Sequence, residues 1–181
     1  MSLYTFSPIK NKDELFRAIE FVHFECHKLC EQSFGRYFPN AGNIGIFCHY
    51  DDEYELLINF RKEITEPSDN LNQKYFRLHE PIILPAKDDI PETAYTYLYI
   101  RKPDPYRHQV GDIDFYLEPN EYAELKQSLL NNEKIKGTRL FDRTDLDMVE
   151  LHNPDIDALA YVSTNLMAQK VRVKLSDSTN L

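Results

Sequence analysis

The chain has 181 residues, of which 42% are hydrophobic, so it is long and apolar enough to bury a core and is not a disordered protein. Its formal net charge of −9, from 21 basic and 30 acidic residues, disfavours nucleic acid as a partner because an acidic surface repels phosphates. With no apolar run of 18 residues, no apolar leader and three cysteines, we expect a cytoplasmic protein without a membrane partner.

The first predicted element is a helix over 12–34, which Asn11 caps and Gly35 ends. Its apolar residues recur at spacings of three and four, the period of a buried helical stripe. A strand over 43–50 follows. It leads into a second helix over 51–63, and we expect Asp51 or Asp52 to be its N-cap.

Beyond this helix the pattern gives three strands, and then a strand, a helix and three more strands. The first three strands are predicted near Ile64 and over 75–84 and 94–102. In the second group the strand covers 112–117, the helix covers 120–132, and the three further strands cover 138–142, 146–152 and 156–163. Two βαβββ modules therefore follow the first helix. The predicted divisions are an N-terminal helical segment over 1–40, modules over 41–105 and 106–165, and a polar tail over 166–181.

Two of these strands have faces of different chemistry, because side chains alternate along a strand. In the strand over 112–117, one face holds Ile113, Phe115 and Leu117, and the other holds Asp112, Asp114 and Tyr116. In the strand over 94–102, one face holds Thr96, Leu98 and Ile100, and the other holds Tyr95, Tyr97, Tyr99 and Arg101. Such strands suit a sheet with a core on one side and a polar cleft on the other.

The two consecutive modules resemble the glyoxalase/bleomycin-resistance superfamily, also called vicinal-oxygen-chelate proteins. The segment 76–81, FRLHEP, and the strand into Ile113-Asp114 are similar to a little-characterised bacterial group with a leading helical segment. The resemblance covers roughly residues 12–163 and rests on topology more than on identity. It implies an α+β fold, in which two βαβββ modules form a curved mixed sheet around a cleft.

In this superfamily each half supplies two metal ligands, one from the opening strand and one from the last strand. The matching positions here are Asn43, Asp112, and Tyr99 or Arg101; the last strand of the second half offers no carboxylate or imidazole. We therefore expect no metal and no cofactor. A displaced metal, the alternative, would be held by His79, Asp112 and Glu150.

Charged side chains near the predicted cleft favour an anionic ligand. Arg77 and His79 share a strand face, and with Arg101 they suit a carboxylate or a phosphate. The alternative puts Arg77 in solvent and His79 at a turn. Asp112 and Asp114 also share a face; either one of them has a raised pKa suited to acid–base work, or one forms a structural salt bridge with Arg101 or Arg107.

The first helix carries a second candidate metal site. His23, Cys26, His27 and Cys30 interleave on it at spacings that can bind zinc. Cys26 falls in the apolar stripe, and no CxxC or HExxH motif accompanies these residues, so we favour a role in the core.

The sequence thus predicts a glyoxalase-like protein that binds a small anionic or polar organic molecule, with catalysis and homodimer formation left open. The predicted ligand-binding residues are Asn43, His49, Arg77, His79, Tyr97, Tyr99, Arg101, Asp112 and Asp114. One alternative is a metal-dependent lyase, isomerase or dioxygenase of the same superfamily. Another is a non-catalytic structural or interaction protein whose paired halves leave no pocket.

Overall fold

The structure, a computed structural model, describes residues 4–131 and 135–172. Its elements are α1 (Lys12–Phe34), β1 (Asn40–Phe47), α2 (Asp51–Ile64), β2 (Phe76–Leu84), β3 (Thr93–Arg101), β4 (Gly111–Leu117), α3 (Pro119–Leu130), β5 (Thr138–Arg143), β6 (Leu146–Leu151), β7 (Leu159–Thr164) and α4 (Asn165–Arg172). Over these two described ranges, each helix is too short or too polar to cross a membrane.

The seven strands form one mixed sheet in the order β2-β3-β1-β4-β7-β6-β5. Each half is built alike, because its opening strand pairs in parallel with its last strand, β1 with β3 and β4 with β7. The two opening strands meet at the centre as an antiparallel pair. This arrangement confirms the predicted α+β, glyoxalase-like fold.

Two local predictions differ from the structure. The strand expected near Ile64 is only a single bridge between Thr65 and Leu78, so the first half has three full strands. The cap of α2 is Tyr50, which makes no side-chain cap hydrogen bond. Asp51 and Asp52, the two residues expected to cap it, instead lie in its first turn. Their negative charges interact favourably there with the positive end of the helix dipole.

Helix α1 begins and ends as its sequence predicts. The Asn11 side chain accepts a hydrogen bond from the backbone N of Glu14 at 2.9 Å, and Gly35 ends the helix with a left-handed φ of 66°. Its interleaved histidines and cysteines are buried in the core. His23 Nδ1 lies 2.7 Å from the Tyr95 hydroxyl, and the Cys26 thiol donates to the Leu159 carbonyl at 3.0 Å.

One continuous hydrophobic cluster fills the α1 side of the sheet, and α2 and α3 also contribute to it. All the strand residues predicted for the core are buried, namely Ile44, Ile46, Leu98, Ile100, Ile113, Phe115 and Leu117. Tyr95 does not lie on its predicted face, because its hydroxyl contacts His23 of α1 and does not face the cleft. The β2–β3 pairing shifts register just beside it, between Arg77 and Ile82, which breaks the regular alternation.

Helix α4 lies on the other face of the sheet, where Asn43 of β1 donates from Nδ2 to the Ala168 carbonyl at 3.3 Å. It also packs on β4, β6 and β7. Residues 166–172 of the predicted tail therefore form most of a helix, and the remaining tail residues, 173–181, lie outside the described residues.

Candidate functional site

A cleft of ≈ 720 Å³ opens on the α4 side of the sheet. Strands β3, β4 and β7, the loop before β2, the β5–β6 hairpin and α4 all contribute to its walls. The lining residues are Asn70, Asn72, Lys74, Tyr75, Tyr99, Arg101, Arg107, Asp112, Asp114, Phe141, Arg143, Asp145, Leu146, Met148, Tyr161, Lys170 and Val171. Five of these side chains are basic and three are acidic, so the lining has a basic balance in an acidic protein.

The centre of the cleft floor depends on a glycine. Gly45 of β1 lies directly opposite Asp112 of β4 in the antiparallel register. A Cβ at residue 45 would come within 2.1 Å of Asp112 Oδ1, so glycine leaves room for the carboxyl group to lie over β1 in the position seen here. The two strands thereby bring a carboxyl group into the floor at the join between the halves.

Asp112 is an unusual carboxyl group because it is only 6% exposed and its Oδ1 has no hydrogen-bond partner within the described ranges. Burial is the main cause that raises its pKa to about 7, and the neighbouring Asp114 adds to the rise. Arg101, Arg107 and Lys74 oppose the rise through their positive charges. Asp112 therefore changes charge near neutral pH.

Asp114 has a different environment one step along the same strand face. Its Oδ2 accepts a hydrogen bond from Asn43 Nδ2 at 2.8 Å. The same amide group bonds α4, and Asn43 Oδ1 is buried without a hydrogen-bond partner among the residues that the structure describes. Asn43 therefore joins the floor to α4 rather than presenting an open ligand position.

Two arginines at the cleft each have one carboxylate partner. Arg101 pairs with Asp104, with Nη2 2.5 Å from Oδ2, which differs from the alternative in which Arg101 pairs with Asp112 or Asp114. Its guanidinium also lies over the Phe47 ring, 5.1 Å from the ring centroid. The partner carboxylate and the ring together hold the guanidinium at the edge of the cleft.

Arg107 belongs to a second, more buried cluster. Its Nη1 lies 3.1 Å from Oε2 of Glu150, which is 4% exposed. Tyr161 donates its hydroxyl to the same Oε2 at 3.0 Å. Because Glu150 accepts from both, it fixes the orientation of Arg107 and Tyr161, and both of these side chains line the cleft.

The predicted site residues fall into three groups. Tyr99, Arg101, Asp112 and Asp114 line the cleft together, and Asn43 lies beside them beneath α4. Tyr97 is half-buried on β3 and outside the lining, paired in register with Asn43 on β1 and with Arg77 on β2. The remaining three residues, His49, Arg77 and His79, lie elsewhere.

His49 lies at the junction of β1 and α2. Its ring stacks on Tyr4 with centroids 3.8 Å apart, and Nδ1 lies 2.6 Å from the Ser7 hydroxyl. Burial lowers the pKa of His49. Its backbone N donates to the buried Glu53 at 2.8 Å, and the other oxygen of Glu53 accepts from the backbone N of Ile9. These contacts hold the N-terminal segment against the sheet, and a ligand role for His49 stays a prediction.

Arg77 and His79 lie on β2, at the edge of the sheet. The Arg77 side chain is 63% exposed, and its Nε lies 3.8 Å from Glu66. His79 lines a separate groove between α1, α2 and β2. The alternative in which Arg77 faces solvent therefore describes its position, and neither residue joins the central cleft.

No group of three or more His, Cys, Asp or Glu side chains is placed to hold a metal ion in residues 4–131 and 135–172. The alternative set fails in particular because His79 lies in the β2 groove, whereas Asp112 lies in the cleft. Asn43, one of the superfamily ligand positions, bonds α4 and Asp114 instead.

Sequence reasoning missed several residues of the cleft. The position of Tyr161 could have been predicted from the sequence, because alternation along β7 puts its side chain on the face opposite the buried Ala160 and Val162. Lys74 and Lys170 carry none, since they lie in a loop and on a short helix whose positions depend on tertiary packing. Arg107 was noted as a possible salt-bridge partner but not as a cleft residue.

Comparisons with known proteins identify the fold. No family model and no curated protein matches the chain. The structural-genomics protein EC4020 is 14% identical over 97% of this chain and 99% of its own, with a TM-score of 0.56. A glyoxalase/bleomycin resistance protein/dioxygenase superfamily member from Vibrio splendidus 12B01 is 8% identical, with a TM-score of 0.35 over 66% of this chain and 93% of its own.

A third similar structure is the methylmalonyl-CoA epimerase of Streptomyces coelicolor in complex with 2-nitronate-propionyl-CoA. It is 16% identical over 70% of this chain and 98% of its own, with a TM-score of 0.31. The similarity to protein EC4020 extends over nearly the whole of both chains, and it shows that the two share a fold.

Proposed function

We propose that the central cleft binds a small anionic organic molecule. The observation that carries this proposal is the charge of the lining, which is basic in balance while the whole chain carries −9. Basic side chains gathered in a concave site attract anions and raise their local concentration. A cleft of ≈ 720 Å³ is also within the range that small-molecule sites occupy.

The arginines are suited to bind such a ligand because they are held in place. The Arg101 and Arg107 guanidinium groups each use one carboxylate partner and keep further N–H donors available. A ligand carboxylate or phosphate can accept a pair of these donors in the planar fork geometry of arginine. The flanking Tyr75, Tyr99 and Tyr161 add aromatic surface for the organic part of the ligand.

A thermal-shift screen of carboxylates and phosphate esters tests this proposal, with Arg101→Lys as the variant. A ligand at a hundred times its Kd stabilises the protein by about 2.7 kcal/mol. Arg101→Lys keeps the charge but loses the fork, so we expect a weaker shift. The control is Arg77→Lys, which changes an exposed arginine outside the cleft. Absence of any shift in the parent, or equal shifts in parent and Arg101→Lys, contradicts the proposal.

Acid–base chemistry on the bound anion is a second candidate function, favoured by the pKa of Asp112 near 7. A carboxyl group with this pKa can both accept and return a proton at neutral pH. The test is NMR of a ligand from the screen in D₂O. Deuterium that enters a C–H bond of the ligand with the parent, but not with Asp112→Asn, supports catalysis. No exchange leaves the protein a binding module.

A further inference from the structure

We infer that Asp112 selects anions that also carry a hydroxyl group, so that the ligands of the cleft are hydroxylated carboxylates or phosphate esters. This inference rests on the proposed function and narrows its ligand class. It depends on the position of Asp112 in the cleft floor and on the hydrogen-bonding state of its carboxyl group. The arginines bind the anionic end of the ligand, and Asp112 binds a hydroxyl.

The first step is the unmet hydrogen-bonding capacity of Asp112. The side chain is nine-tenths buried and lines the cleft, yet its Oδ1 has no hydrogen-bond partner in the part of the chain that the structure describes. A buried carboxyl oxygen without a donor is costly, and native structures rarely keep one without a reason. Oδ1 lies over Gly45, and rotation about the Cβ–Cγ bond turns it from the floor toward a donor in the cleft.

The second step is that the neighbouring residues which the structure describes leave Asp112 Oδ1 without a donor. The cross-strand neighbour is Gly45, which has no side chain to donate, and any Cβ there would collide with Oδ1. The two nearby arginines pair with Asp104 and Glu150 instead. A ligand hydroxyl in the cleft has the hydrogen-bond donor that Asp112 Oδ1 lacks among the described residues.

The third step separates a hydroxyl from an ammonium group. Arg101, Arg107 and Lys74 all act electrostatically on Asp112. A cationic ligand group at Asp112 would meet these three charges as well as the carboxyl group. A hydroxyl donates the same hydrogen bond without adding a positive charge.

Matched pairs of phosphate esters test the inference. Glycerol 3-phosphate is compared with propyl phosphate, and glucose 6-phosphate with cyclohexylmethyl phosphate, by isothermal titration calorimetry. Each pair shares an anionic group and a size but differs in hydroxyls. A hydrogen bond to a charged group corresponds to about a tenfold to hundredfold preference, which we expect for the hydroxylated member of at least one pair.

Variants at Asp112 identify the source of this preference. We expect Asp112→Asn to reduce it several-fold and Asp112→Ala to bring the affinity ratio of the pair close to one. The apolar esters should bind the variants at least as tightly as the parent, because both variants lack the Asp112 charge that repels a phosphate, so the affinity ratio within each pair is the quantity to compare. Asp155→Asn, a change of an exposed carboxylate outside the lining, should keep the full preference.

Each other result overturns a defined part of the reasoning. Equal binding within both pairs, or a preference that survives in both Asp112 variants, overturns the hydroxyl inference and leaves the anion site intact. Tighter binding of 3-aminopropyl phosphate than of 3-hydroxypropyl phosphate overturns the choice of hydroxyl over ammonium. Failure of every ester to bind the parent overturns the anion site together with the inference.

Discussion

Replacing Asp112 by Asn should stabilise the protein increasingly as the pH rises. The pKa of Asp112 is raised from its ordinary value of 3.8 to about 7, so the folded state holds a proton that the unfolded state has released. For a raised pKa, the favourable contribution is present at low pH and is lost as the pH rises through the folded value. The Asn side chain has no charge at any pH and escapes this loss.

The size of the effect follows from the two pKa values. A shift of about three units corresponds to about 4 kcal/mol of destabilisation in the parent, complete above about pH 8. Between pH 5 and pH 8 the free energy of unfolding of Asp112→Asn should therefore gain about 2.5 kcal/mol on that of the parent. Titrating groups that do not interact with Asp112 act equally on both proteins, so this difference reports Asp112 together with its coupling to Asp114.

Urea unfolding at several pH values between 5 and 8 measures this gain. Circular dichroism is the suitable signal, because the chain has no Trp. The tyrosines around Asp112, namely Tyr75, Tyr99 and Tyr161, have pKa values raised by burial, so they do not titrate in this window. Asp155→Asn is the control and should follow the parent. A difference between Asp112→Asn and the parent that stays within about 0.5 kcal/mol over this range refutes the reasoning.

Three further predictions concern the core and the cleft. Phe115→Ala should lower the free energy of unfolding by about 3–5 kcal/mol, because Phe115 is fully buried; urea unfolding at the parent's stability would contradict the strand register. Gly45→Ala should lower the free energy of unfolding by about 1–3 kcal/mol in the same assay and should weaken ligand binding, since the new Cβ displaces Asp112. Unchanged stability and binding would show that the Asp112 carboxyl group moves aside at little cost. Glu150→Ala should lower the free energy of unfolding by roughly 2–3 kcal/mol, because it leaves Arg107 and Tyr161 without an acceptor. Glu150→Gln keeps an acceptor oxygen and should lower it less, so equal losses would contradict the hydrogen-bonding role of Glu150.

The fold could be predicted further from the sequence than the cleft could. Periods of 3.6 and 2 residues report which face of an element is buried, and they located α1 and the central strands to within a few residues. Alternation also placed Asp112 and Asp114 on one face, and of the two alternatives for this pair, a raised pKa or a salt bridge with an arginine, the raised pKa describes Asp112. These results depend on a single element or on two adjacent strands.

The remaining parts of the site depend on contacts that no local pattern encodes. Arg101 pairs with Asp104 only because the chain turns back after β3, and Arg77 stays outside the cleft because β2 lies at the sheet edge. The position of α4 on the cleft face follows from packing on four strands and from one bond to Asn43. Composition of the last residues gives no hint of that contact.

The two halves of the sheet share the parallel pairing of their first and last strands, but they differ in chemistry at the centre of the cleft floor. The cleft-facing residue at the centre of β1 is Gly45, and its partner on β4 is Asp112. Even a methyl group at Gly45 would lie 2.1 Å from Asp112 Oδ1, so the first half can carry a second side chain there only if the Asp112 carboxyl group moves away. The second half supplies the carboxyl group, and the first half supplies the space in which it lies.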